Sequence, residues 1–463
     1  MERGRTAAST LVGGASREAE LAASYHRVLQ DDTDLAERCF AQLIEAHEEG
    51  RLLFQGRLLC SVLRPRFLPA GTVKELESVS STLAEILERY GEELLKSEEG
   101  LDLIHASENE REIWSIDPGY QGFTLTSRLD SFLFGDQLRF VEYNAESPAG
   151  IGYCDRLTDV FETMPSMQQW SQDYGVDRFH ARRHLLEAIL WAYHEWGGSD
   201  TPRIAIIDWD HVATHRDFEL CAEYFRGRGF PTVLTDPRHL EYRNGHLWCG
   251  NEEVRLVYRR VLLHELLDKR AEASGLLDAY RDGAVCMVNS PRSKILHKKT
   301  VFALLSERLL DVPLSESEEK LVDNVVPWTR VVRSGTTTYG DARVDCLRFI
   351  LGARDRMVLK PVDDYGGRGV VLGWETDPAE WEQAVEEAAE KHFVVQERVP
   401  IPEAEFPTWQ ENDVDLVSML VDTDPLLFRR RAGSILTRIS SSALLNVSAG
   451  SGSTTPTFMV QEA

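Results

Sequence analysis

The sequence predicts an α/β (α+β) protein, with a helical N-terminal segment, a strand-rich body and an alternating strand–helix unit set between two parts of that body. Three observations predict it. Val73, Leu76, Val79, Leu83, Leu87, Tyr90 and Leu94 recur at three- and four-residue steps, the spacing of one helix face. Residues 127–144 (SRLDSFLFGDQLRFVEYN) alternate apolar and polar positions around a Gly-Asp turn signal. Residues 203–234 run strand, helix, strand: Arg203–Asp208, a helix through Phe218–Phe225, then Pro231–Leu234.

The totals bound the class. A chain of 463 residues has room for about three domains of roughly 150 residues. It contains no apolar run near the roughly 20 residues that cross a bilayer, so no membrane segment is expected. A formal charge of −25 argues against nucleic acid as a partner, because such proteins carry a basic footprint. The seven cysteines are dispersed and form no CxxC, the pattern of reduced thiols in the cytoplasm. The Asn446-Val447-Ser448 sequon has no consequence there.

Taken in order, residues 1–18 (beginning MERGRTAASTLVGGAS) read as a disordered lead-in, and 19–112 as a helical region. Thr72 and Glu75 have capping-box spacing ahead of the periodic helix. Residues 113–165 form the next part, and within it 113–150 change to short strands. Residues 166–289 hold a helix over 177–196, stopped by Gly197-Gly198, and the parallel strand–helix–strand unit. Val254–Tyr258 and Ala284–Val288 add strands to that unit. From 290 to 463 a helix from Lys294 to about Leu309 is followed by alternating strands and short helices.

The hairpin carries the first candidate site. A two-residue loop at Gly135-Asp136 followed by a bulge, or a three-residue loop, would bring Phe132, Phe134, Leu138 and Phe140 to one buried face. Either register sets Asp130 opposite Glu142 and Arg128 opposite Asn144. Glu142 and Asn144 alternate on one strand and therefore point the same way. Two carboxylates and a carboxamide at a strand end suit Mg²⁺ completed by phosphate oxygens. An edge hairpin with its polar residues in water has the same pattern.

In "MVLKPVDDYGGRGVVLG" a strand ends at Lys360-Pro361, and Gly366, Gly367 and Gly369 let backbone N–H groups approach an anion before the next strand begins. It is neither a P-loop nor a dinucleotide fingerprint, and a plain hairpin turn reads equally well. Lys294 stands before a helix. "HFVVQERV" is an apolar strand meeting Gln396-Glu397, an edge able to hydrogen-bond a base. Asp208, Asp210, His211 and His215 in "DWDHVATH" read as a helix cap or a substrate-side loop rather than a metal site. His180 and His184 lack the Glu of a zincin helix and read as a solvated face. Arg259-Arg260 has the chemistry to reach an anionic substrate.

Arg128-x-Asp130, Glu142-x-Asn144, Lys294, Lys360-Pro361 with its glycine loop and Gln396-Glu397, in that order, resemble the circularly permuted ATP-grasp ligases of the glutathionylspermidine synthetase type. The resemblance covers about 113 to 463 and rests on the ExN pair preceding the lysines. It implies a permuted ATP-grasp fold with an inserted Rossmann-like α/β domain. It implies ATP and Mg²⁺ as cofactors, with Asp130, Glu142 and Asn144 on the metal and Lys294 and Lys360 on the nucleotide phosphates. The 363–369 loop (Asp364, Gly366, Gly367, Arg368, Gly369) would cover the phosphates, and the strand reaching Gln396, Glu397 and Val399 would hold adenine. Arg128 and Arg438 would meet the transferred phosphoryl group. The activity implied is ADP-forming amide synthesis through an acyl phosphate, with small-molecule carboxylate and amine substrates. An ATP-grasp-like small-molecule kinase and a non-catalytic nucleotide-binding scaffold are the alternatives. No amidase module is legible in the helical N-terminal region.

Overall fold

The computed structural model describes residues 8–54, 56–135, 137–364, 366–442 and 452–461. Asn446, and with it the sequon, lies outside the described residues, as does Asp136 of the hairpin loop.

Two helices, Ala8–Gln30 and Thr33–Gly50, come first. The first reaches back into the stretch expected to be a disordered lead-in. Asp32 caps the second by accepting a hydrogen bond from the Leu35 N–H. The expected helical run is then broken by short strands, of which Arg66–Pro69 is fully buried. The long helix Ala70–Leu95 buries the predicted stripe of Val73, Leu76, Leu83, Leu87, Tyr90 and Leu94, and Val79 packs against it. It begins directly after Pro69, so Thr72 lies inside its first turn and does not cap it.

The body is a seven-stranded antiparallel sheet that joins distant parts of the sequence. Thr126–Phe134 pairs with Gln137–Asn144 on one side and with Asp424–Phe428 on the other. Asp424–Phe428 in turn pairs with Arg431–Ser440. Beside it, Ile204–Ile207, Thr232–Thr235, Leu256–Arg259 and Cys286–Val288 form a four-stranded, all-parallel sheet. Such strands are covered on both faces, and Ile204–Ile207 and Leu256–Arg259 are buried throughout. A further antiparallel sheet has the order Thr329–Val331, Phe393–Glu397, Met357–Pro361, Val371–Leu372. The two strands flanking the glycine loop are therefore paired, as expected. Phe393–Glu397 is an internal strand, however, and not the edge expected of it. A three-residue strand too short to read in the sequence covers its outer side.

Candidate active site

The hairpin register is set by a bulge. Phe134 pairs with Gln137 around a two-residue loop, and the register shifts between Asp130 and Ser131, so Val141 is the extra residue. Beyond the shift Asp130 stands opposite Glu142 and Arg128 opposite Asn144, as the sequence required. The apolar face differs from expectation. The bulge lies four residues in from the turn, so Leu129, Leu133, Leu138, Phe140 and Tyr143 fill the core, while Phe134 is 52% exposed.

Asp130 is the hub of a buried charge cluster. Arg128 forks onto it, with Nε donating to Oδ1 at 2.6 Å and Nη2 to Oδ2 at 3.0 Å. Arg438 donates to the same Oδ2 at 2.8 Å and also pairs with Asp422 and Asp424. Burial raises the Asp130 carboxyl, but Arg128 and then Arg438 outweigh it and hold the group well below the usual range. The opposite holds for Asp424, which burial pushes well up even though Arg438 opposes it. Asp422 and Asp424 escaped the sequence reading, although "VDTDP" repeats the alternate-residue logic of Glu142-x-Asn144.

Facing this cluster are two lysines. Lys360 donates to the Val141 carbonyl at 3.0 Å and to the Gln396 Oε1 at 2.7 Å. The bulge thus presents its unpaired carbonyl to the lysine of the other sheet. Burial lowers Lys360 to about 8, with Glu142 acting against the drop. Lys299 lies 3.2 Å from Glu142 and donates to the Asp364 carbonyl at 2.6 Å. It was missed because the expected single helix from Lys294 is two helices, Ser293–His297 and Thr300–Glu307, broken at Lys298-Lys299. Lys294 itself is fully buried between Glu146, at 3.2 Å, and Asp363. Glu146 also pairs with fully buried Arg259 at 2.8 Å. Arg259 and Arg260 are therefore held inside the protein, Arg260 by the Pro148 carbonyl and the Tyr258 hydroxyl, and neither reaches outward to a substrate.

Gly366, Gly367 and Gly369 all have φ between 66° and 76°, left-handed backbone that glycine adopts freely. Asp364 and Arg368 belong to the same loop. Gln396 is held by Lys360 and by Thr329, to whose hydroxyl its Nε2 donates at 3.1 Å, and Glu397 accepts from the Tyr339 hydroxyl at 2.7 Å. Val399 lies two residues past the strand, where the chain leaves the sheet. The "DWDHVATH" segment follows strand Ile204–Ile207. Asp208 accepts from the Trp209 N–H, and burial raises it to about 6. The helix starting at His215 has no side-chain cap. Among the described residues no group of three or more His, Cys, Asp or Glu side chains is arranged to hold a metal.

Glu142 and Asn144 nonetheless fit a hard cation completed by phosphate oxygens. The Asn144 amide donates to Asp130 Oδ1 at 3.0 Å, which leaves its carbonyl oxygen available. Asp130 already has two guanidiniums on it, so its fit is partial.

A family model described as "Circularly permuted ATP-grasp type 2" matches residues 134–432. The chain belongs to this family. Among curated relatives, "Putative glutamate--cysteine ligase 2-2" of Frankia casuarinae is 26% identical over 68% of this chain and 36% of its own length. "Putative glutamate--cysteine ligase 2-3" of Frankia alni is 28% identical over 43% of this chain and 23% of its own. The chain thus spans about a quarter to a third of these relatives. A solved glutathione synthetase-like effector (GSS30) from Globodera pallida, in apoform, shares the fold at a TM-score of 0.57 and 11% identity, over 94% of this chain and 98% of that one. In this permuted ATP-grasp chain the permutation is visible as geometry. Residues 126–144 precede the lysines in sequence yet lie in one sheet with 424–440 and contact Lys299 and Lys360.

Proposed function

We propose that the protein is an ADP-forming, ATP-dependent carboxylate–amine ligase that makes an amide bond through an acyl phosphate. The observation that carries this reading is the meeting of Glu142 with Lys299 and of the Val141 bulge with Lys360, on the strand pair that also holds Arg128 and Asp130. Lys299 and Lys360 are placed to hold nucleotide phosphates, with the glycine loop over them and the segment reaching Val399 against the base. Lys294, enclosed by Glu146 and Asp363, acts by fixing that loop. Glu142 and Asn144, beside Asp130, would hold Mg²⁺, which would supply charge neutralisation on the phosphates.

A substrate carboxylate oxygen attacks the γ-phosphorus, and the bond to the β-phosphate bridging oxygen breaks to release ADP. An amine then attacks the acyl carbon, loses its proton and expels inorganic phosphate. Such chemistry needs positioning and cationic charge rather than a protein nucleophile. Arg128 and Arg438 offset the negative charge on the transferred group. The relatives' names support amino acids as the carboxylate and amine, and a polyamine acceptor of the glutathionylspermidine type belongs in the same screen. We place the reaction in the cytoplasm, supported by seven cysteines that are all free. The test is ADP release measured against pools of amino acids, peptides and polyamines. Release that requires an amine and yields an amide supports the ligase, whereas a phosphorylated product without amine makes the protein a kinase. Absence of any turnover, with ATP still bound, leaves the scaffold.

A further inference from the structure

We infer that the cavity beneath the Phe428–Arg431 turn binds a small polyanion, at a place separate from the Lys299–Lys360 cluster. The cavity has a volume of about 780 Å³, the size of small-molecule sites. Five arginines line it against three glutamates, in a chain whose net charge is −25. Arg178 is engaged by Asp159 and Glu162, and Arg183 lies 3.8 Å from Glu187. Arg429, Arg430 and Arg431 form no ion pair among the described residues.

The turn itself gives the second reason. Phe428 pairs with Arg431, so Arg429 and Arg430 are the two central residues of a tight hairpin. Both have left-handed backbone, at φ 52° and 66°. Turns of this kind favour Asn-Gly, because side chains with a Cβ are strained there. The same chain uses Asn244-Gly245 for the corresponding hairpin between Arg243 and His246. The hairpin between Gln410 and Asp413 also has two left-handed non-glycine residues, Glu411-Asn412 at φ 50° and 63°, but among the described two-residue hairpins this one alone has neither Gly nor Asn at either position, and that strain points to a functional constraint. Their guanidiniums are also directed: Arg429 stacks on Trp191 with its Cζ 4.1 Å from the ring centroid, and Arg430 lies against Gly122, near enough to the buried Glu88 carboxylate to act on its charge without pairing with it.

The site is distinct from the catalytic cluster. Phe428 and Asp424 lie on one face of their strand four residues, or about 13 Å, apart. Buried Leu426 stands between them on that face. A ligand with two or more carboxylate or phosphate groups would engage the clustered guanidiniums by charge-assisted hydrogen bonds, with Trp191 and Phe428 as apolar walls.

Triglutamate and tripolyphosphate, titrated separately into the full chain at low salt, distinguish the carboxylate from the phosphate source. Saturable binding of either is expected. It should weaken at least roughly tenfold in Arg429→Asn/Arg430→Gly, which gives the turn its preferred residues, and persist in Lys360→Ala. The double variant, free of ligand, should melt no lower than the wild type. Binding of neither anion overturns the inference, as does wild-type affinity in the double variant or loss of binding in Lys360→Ala. A lower melting temperature of the ligand-free double variant would make the arginines structural braces, and overturns it too.

Discussion

Replacing Glu146 by Gln removes one charge from a triad that has no access to water. The side chains of Glu146, Arg259 and Lys294 are each 0% exposed, with separations of 2.8 and 3.2 Å from the carboxylate. The carboxamide of Glu146→Gln retains an acceptor for the Leu263 N–H and for Arg259, but it turns N–H bonds toward Lys294. Lys294 keeps Asp363, whereas Arg259 keeps only carbonyls and the Ser293 hydroxyl. An uncompensated buried cation costs about 3–5 kcal/mol. With an unfolding entropy of about 2.1 cal/mol/K per residue over 463 residues, that is a Tm drop of at least ~3 °C, and more if a smaller unit melts first. Glu146 is held well below its ordinary value; burial raises it, but Lys294 and Arg259 prevail. Its contribution is therefore complete above the ordinary glutamate value of 4.5 and is lost as pH falls toward the folded value, so wild type and variant converge in acid. Calorimetry across pH provides the assay, with Glu146→Leu/Arg259→Met/Lys294→Met as the partner variant, expected to recover part of the loss. An unchanged Tm for Glu146→Gln at neutral pH would refute the account of Lys294 as a structural lysine.

Nucleotide binding should take up about 0.9 proton at pH 9 and only about 0.1 at pH 7, because phosphate oxygens restore the ammonium of Lys360, lowered to about 8 without ligand. Calorimetric titration in buffers of different ionisation enthalpy measures this, and equal uptake by Lys360→Gln would exclude that lysine. Glu142→Gln should reduce Mg²⁺-dependent turnover by roughly 10²-fold while leaving Tm within about 1 °C, since its carboxylate is partly exposed and, among the described residues, forms an ion pair with Lys299 alone. Steady-state kinetics against Mg²⁺ concentration tests it. Gly369→Ala places a Cβ 2.8 Å from Pro361 Cγ at φ 66°, at a cost of about 1–2 kcal/mol in the loop. A several-fold rise in KM for ATP is expected, and unchanged ATP kinetics would separate the loop from the nucleotide.

The parts of the site that the sequence made legible are those fixed by local geometry. Glu142 and Asn144 share a face because strand side chains alternate, and the partner of Asp130 followed from a register argument across a few residues. The position of the bulge did not follow. Whether the extra residue falls at the turn or at Val141 depends on packing against Lys360, more than 200 residues away. Asp422, Asp424 and Arg438 were invisible as a cluster for the same reason, since the Arg438 contact that joins them to Asp130 spans about 300 residues. Lys294 was preferred over Lys299 because the polar run His297-Lys298-Lys299-Thr300, where two short helices meet, was read as part of one helix. Phe393–Glu397 was read as an edge because its covering strand has three residues and no pattern of its own.

The strand Thr457–Val460 is the middle member of a three-stranded sheet, parallel to Arg66–Pro69 and antiparallel to Val176–Arg178. On the ribosome this imposes an order of events. At about 5–20 residues per second, some 20–80 s separate the emergence of residue 69 from that of residue 460. Until residues 457–460 emerge, each outer strand, once made, lacks its partner in this sheet, and its backbone polar groups are open to other chains. The N-terminal helices can form early, but completion of the sheet beside them waits for residues 457–460. A chaperone that shields residues 66–69 until residues 457–460 have emerged should therefore change the folded yield more than it changes the stability of the protein once made.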